Sequence, residues 1–156
     1  MPPLPLFSDI YVHYKCNWYS LLYRHERVEI GWGDKFSLDA AIVNVGDEPC
    51  YIYVCYYDEE SGEELGCKVS ESPVNPDSTE ILSMEFKMPR KDRWDLIAET
   101  GYVEGDTWYR TARVGITLYG VPREEEVIIT IPEALKYIIP AIIGATITIL
   151  IITKRK

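Results

Sequence analysis

The sequence predicts an all-β head, built as an antiparallel β-sandwich, followed by one C-terminal transmembrane α-helix. Two observations carry this. Residues 1–133 fall into short runs rich in Val, Ile, Tyr, Phe, Trp and Thr, broken about every ten residues by Gly, Pro, Asn and Asp. From Tyr137 to Ile152 the chain then carries no charged or strongly polar side chain, and it closes on Thr153-Lys154-Arg155-Lys156.

Strands are expected at 10–15, 27–30, 35–43, 50–57, 64–69, 79–86, 93–98 and 107–119. Within 35–43, Phe36, Leu38, Ala40 and Ile42 share one face, and within 107–119 Val114, Ile116 and Leu118 do. That period of two is the pattern of a strand with one side in the core. No helical segment of useful length precedes the tail. Residues 1–26 read as an N-terminal extension with the first strand, joined to a sandwich over 27–131, and 132–156 as anchor and basic tail. About 130 residues are enough for one domain with a single core.

One turn sets a register. In Asp58-Glu-Glu-Ser-Gly-Glu-Glu64, Gly62 suits the left-handed position of a three-residue loop, Glu60-Ser61-Gly62, closed by Glu59 and Glu63. Cys55 then stands opposite Cys67, within reach of a disulfide. The four cysteines allow three connectivities. The expected one is Cys55 with Cys67 and Cys16 with Cys50.

Gly33-Asp34-Lys35-Phe36-Ser37-Leu38 is followed by Val43-Asn44-Val45-Gly46-Asp47-Glu48-Pro49 and a strand at 51–57. Pro73-Val-Asn-Pro-Asp-Ser78 and Phe86-Lys-Met-Pro89 come next. Over roughly 27–119 this resembles the CARDB-type immunoglobulin-like domains, cell-surface β-sandwiches whose first hairpin is punctuated by Gly-Asp and Asn-x-Gly turns. The resemblance implies an immunoglobulin-like antiparallel β-sandwich acting as an adhesion, spacer or assembly module, with no catalytic residues to carry over. The chain departs from that family in its Tyr- and Trp-rich N-terminal segment and in its cysteines.

The tail is read as an anchor. Residues 134–152 span about 28 Å as a helix at ~1.5 Å per residue, close to the thickness of a hydrocarbon core. β-Branched Ile and Thr favour strands in water. In lipid a lone strand leaves its backbone unpaired, so the helix wins even with Pro140 one turn in. Tyr137, Pro140, Gly144 and Ile152 mark the span, and the small pairs Ala141/Ala145 and Gly144/Thr148 would let two such helices approach closely. The basic end puts the C-terminus in the cytoplasm and the head outside, whereas Met1-Pro-Pro-Leu-Pro-Leu-Phe7 offers no signal peptide. Pro132-Glu133 ahead of an apolar run and a basic end also resembles archaeosortase-processed tails, with Ala134 where that family has Phe.

All 25 acids lie before residue 134 against 12 of the 16 bases, a net −13 on the head, which repels phosphate backbones and excludes nucleic acid. His13, Cys16, Cys50 and Cys55 can be written as four zinc ligands, but they come from different strands at poor spacing, and disulfides or structural thiols are the stronger reading. The acidic runs at Asp47-Glu48, Asp58-Glu59-Glu60 and Glu63-Glu64 lack the alternating spacing of a calcium loop. No phosphate loop, Gly-x-Ser-x-Gly or His-Glu-x-x-His occurs. No enzyme, cofactor or metal is therefore expected.

Tyr51, Tyr53 and Tyr57 share one face of their strand and are the candidate interaction face, with Trp18 or Trp32 as helpers. Two functions follow. One is a membrane-anchored structural or interaction protein, presenting its head for assembly of an envelope, virion or cell surface, with the lipid bilayer, other proteins or its own copies as partners. The other is a surface module binding a small molecule or glycan through exposed aromatics.

Overall fold

The computed structural model describes residues 1–123, and residues 1–122 form one compact unit. The anchor residues Tyr137, Pro140, Gly144 and Ile152 lie outside the described residues. Among those described, no helix is long and apolar enough to cross a membrane.

Among the described residues, nine strands make two facing sheets: β1 (Pro5–Tyr14), β2 (Asn17–Ser20), β3 (Glu29–Gly31), β4 (Lys35–Asn44), β5 (Tyr51–Asp58), β6 (Glu64–Val69), β7 (Thr79–Lys87), β8 (Arg93–Glu104) and β9 (Thr107–Val121). One sheet has the order β2-β1-β4-β7 and the other β3-β9-β8-β5-β6. This is an immunoglobulin-like β-sandwich. Alternation builds its core: Ile10 and Val12 of β1, Leu38, Ala40 and Ile42 of β4, Ile52, Val54 and Tyr56 of β5, and Leu96 and Ala98 of β8 all have 0% exposure. Interleaving these apolar faces removes most of their area from water, at roughly 25 cal/mol per Å².

Three features differ from the sequence reading. The first strand, expected at 10–15, runs from Pro5 to Tyr14 as β1, an inner strand of its sheet, and is followed by β2, which has no counterpart in the sequence reading. Their two-residue turn, Lys15-Cys16, has positive φ at both positions (49° and 61°), as a type I′ hairpin requires. The sandwich is also not wholly antiparallel, because β3 runs parallel to β9. The chain leaves β2 at the edge of one sheet and crosses to the edge of the other, so it arrives alongside β9 in the same direction. Finally, β8 continues past 98 to Glu104 and turns back through Gly105-Asp106, Gly105 having φ 60°.

Buried polar groups fix the connections. Asn44, with 0% exposure, accepts from the Leu4 and Gly46 N–H groups and donates to the Glu48 and Val74 carbonyls. One amide thereby ties the N-terminus, the β4–β5 connection and the segment before β7 together, which accounts for the Asn-x-Gly pattern. Tyr14 donates to Asp34 Oδ2 at 2.6 Å and accepts from the Gly31 N–H, pinning β1 to the Gly33-Asp34 turn.

Asp9 organises the crossover. Its carboxylate accepts from the Ser20 hydroxyl at 2.6 Å and from the Ile10, Leu22 and Tyr23 N–H groups. Burial pushes its pKa up, but these four donors pull it further down, leaving it below the ordinary aspartate value. Asp58, held by the Ser61 N–H and the Trp94 indole, and Asp95, held first by Thr117, are lowered in the same direction. A depressed folded pKa contributes stability that is present above the unfolded pKa and lost as pH falls through the folded value. The melting temperature is therefore expected to hold from neutrality to about pH 5 and to fall below about pH 4. Asp9→Asn should lose about 1–3 kcal/mol at neutral pH and show a shallower acid decline. A wild-type acid slope retained in that variant would place the linkage elsewhere.

Candidate outer-face binding site

The β5–β6 hairpin brings the predicted disulfide together by a route different from the one expected. Asp58 pairs with Glu63, and Asp58 Oδ1 accepts the Glu60 and Ser61 N–H groups, so the loop is 59–62, one residue longer, with Gly62 at φ 73°. A bulge opposite Tyr56–Tyr57 then restores the register, and Cys55 faces Cys67. They form the disulfide, with Cα atoms 4.1 Å apart.

The second expected pair does not form. Cys16 is exposed at the β1–β2 turn, while Cys50 is buried in the core beside Val74, and both are free thiols. Burial pushes the Cys50 thiol pKa up, keeping it protonated and inert. The set His13, Cys16, Cys50 and Cys55 is therefore not assembled.

The outer face of the five-stranded sheet is laid out in rows. Tyr51, Val103 and Trp108 form the first across β5, β8 and β9; Tyr53, Gly101 and Arg110 the second; Cys55, Glu99 and Arg113 the third. Tyr57 follows along β5. Gly101 is required because any Cβ there would strike the Tyr109 carbonyl, drawn close by a bulge in β9. With no side chain in the middle of the second row, Trp108 lies on Tyr53 at 4.7 Å between ring centroids.

The three tyrosines do not act alike. Tyr51 is 44% exposed and Tyr57 half-buried, whereas Tyr53 is buried at 4%. Tyr53 is thus a support, and the exposed aromatic surface comes from Tyr51 and Trp108, the latter 47% exposed. Trp108 was not singled out in the sequence because its side of the sheet depends on the β9 bulge. Trp18 and Trp32 belong elsewhere: Trp18 stacks on His13 on β1, and Trp32 donates to the Lys91 carbonyl.

Charge is concentrated beside the aromatics. Glu99, its side chain 15% exposed, receives Arg110 at 3.0 Å and Arg113 at 3.6 Å. Burial and then the Glu99 charge push the Tyr53 and Tyr57 phenols up, so both stay neutral and available as hydrogen-bonding groups at physiological pH. A shallow open depression between Tyr57, Asp58, Ile97, Glu99 and Arg113 continues this surface. The arrangement offers flat π faces, a carboxylate acceptor and two guanidinium donors on rigid strands.

Fold and face together define an immunoglobulin-like sandwich with an aromatic, charge-bracketed outer sheet. No protein-family model matches the chain, and no curated protein matches it in sequence. Among solved structures it is similar to the C-terminal domain of Wzt, with TM-score 0.55 and 9% identity over 76% of this chain and 74% of that one. A CARDB domain from Pyrococcus furiosus, crystallised in complex with di-metal ions, gives TM-score 0.49 and 11% identity over 75% of this chain and 96% of that one. A Niemann-Pick type C2 protein from the Japanese carpenter ant gives TM-score 0.47 and 11% identity over 76% and 93%. At 9% identity the likeness to the Wzt domain bears on the fold alone.

Proposed function

We propose that this chain is a membrane-tethered carbohydrate-binding module whose ligand lies on the outer face of the five-stranded sheet. The observation that carries the reading is Trp108, which stays half exposed while its ring rests on the buried Tyr53. A large apolar ring held rigidly against a support, with one side open, stacks on a sugar ring at little cost in conformational entropy. Tyr51 extends the platform, and Glu99 with Arg110 and Arg113 supplies acceptors and donors for hydroxyl groups. The head's net −13 repels polyanions, so the ligand class is a neutral glycan.

The run 134–152, apolar apart from Lys136, and its basic end support a bilayer anchor, with the head outside and the C-terminus inside. The detergent-solubilised full-length protein is expected to give a positive signal on an array of neutral glycans, weakened by Tyr51→Ser. A blank array, with cross-linking in membranes revealing self-association, would favour the assembly module instead.

A further inference from the structure

Beside the aromatic platform, the outer face carries a second cluster. The Cys55 and Cys67 sulfurs and a Glu64 carboxylate oxygen all lie within 4.8 Å of one another. Glu64 Oε1 stands 3.2 Å from Cys67 Sγ, yet a disulfide sulfur has no hydrogen to donate. An exposed carboxylate oxygen thus stands beside the disulfide without a hydrogen bond from it. Such a position suits a proton on a thiol, or a cation bridging the three groups.

We propose that the reduced Cys55–Cys67 pair and Glu64 form a three-ligand site for a divalent cation of the zinc type. Two equivalents of a small thiol supply the two electrons: the S–S bond breaks, the thiol protons pass to the two protein sulfurs, and the reductant leaves as its own disulfide. Binding the cation then expels both thiol protons to solvent, leaving two thiolates and one carboxylate as ligands. In a tetrahedral zinc site neighbouring ligand atoms stand about 3.5–3.8 Å apart, a spacing these three side chains reach by rotation with their strands in place.

The strands have reason to stay in place. β5 lies between β8 and β6, and its inward residues Ile52, Val54 and Tyr56 are in the core, so the bridge is not what holds the hairpin. Cys67 is half-buried on an edge strand and Glu64 is exposed at its start, which gives reductant and ion a way in. Two soft sulfurs with one carboxylate favour zinc over calcium or magnesium, and three protein ligands leave the fourth position open for water or a ligand.

The test uses the full-length protein, reduced with a phosphine that is then removed, and titrated anaerobically with cobalt(II) alone. The reduced protein is expected to bind about one equivalent, with thiolate-to-cobalt charge-transfer absorbance, and the oxidised protein none. Glu64→Gln should weaken binding about tenfold or more, and Cys67→Ser should abolish it, while Cys16→Ser and Cys50→Ala should leave the titration unchanged. The proposal is overturned if the reduced protein shows no such absorbance, if Glu64→Gln or Cys67→Ser titrates like wild type, or if reduction alone removes the strand signal in circular dichroism.

Discussion

Trp108→Ala is expected to weaken glycan binding at least about 30-fold, the equivalent of about 2 kcal/mol, and to leave the fold intact. The ring is 47% exposed, so its removal opens no cavity in the core, but it takes away the one large surface that Tyr53 supports. Aromatic anchors of this kind dominate recognition because they bury much area while ordering few torsions. Calorimetry with the best ligand from an array would read the loss directly, with circular dichroism as the check on folding. Wild-type affinity in Trp108→Ala, with Tyr51→Ser equally silent, would move the ligand away from this face.

Leu38→Ala should lower stability by about 2–5 kcal/mol, and the melting temperature by roughly 8–20 °C. Leu38 sits on β4, bonded on both sides by β1 and β7, and has no exposure. A central strand between two rigid neighbours cannot collapse into the space left behind, so the cavity term adds to the lost transfer energy. Chemical denaturation would measure the change; a loss below about 1 kcal/mol would mean that the two sheets pack loosely around this strand.

Much of the head was legible because the core sets a local rule. One face of each strand must be apolar, and Phe36, Leu38, Ala40 and Ile42, or Ile116 and Leu118, write that rule into neighbouring residues. The Cys55–Cys67 bridge was legible for a less secure reason. The loop is one residue longer than Gly62 suggested, and the bulge near Leu65 offsets the difference. The missed elements lacked such local signals. β2 has only four residues, and the end of β8 contains Gly101, which reads as a break but is required by the close passage of Tyr109. Cys16 and Cys50 looked like a natural remainder pair, yet one lies on a turn and the other in the core.

Alternating apolar residues, Gly and Asn at turns and the uneven division of charge are consequences of short-range chemistry. They sufficed to assign the β-sandwich and to place its negative charge on the head. The composition of the outer face was decided elsewhere. That Tyr53 is buried, that Trp108 lies over it, and that Glu99 meets two arginines all depend on which strands become neighbours and where β9 bulges. The Asn44 network likewise joins segments far apart along the chain, reaching Leu4 and Val74. Contacts of that range exist only once the core has closed, because sheet order and register, not sequence proximity, bring those side chains together.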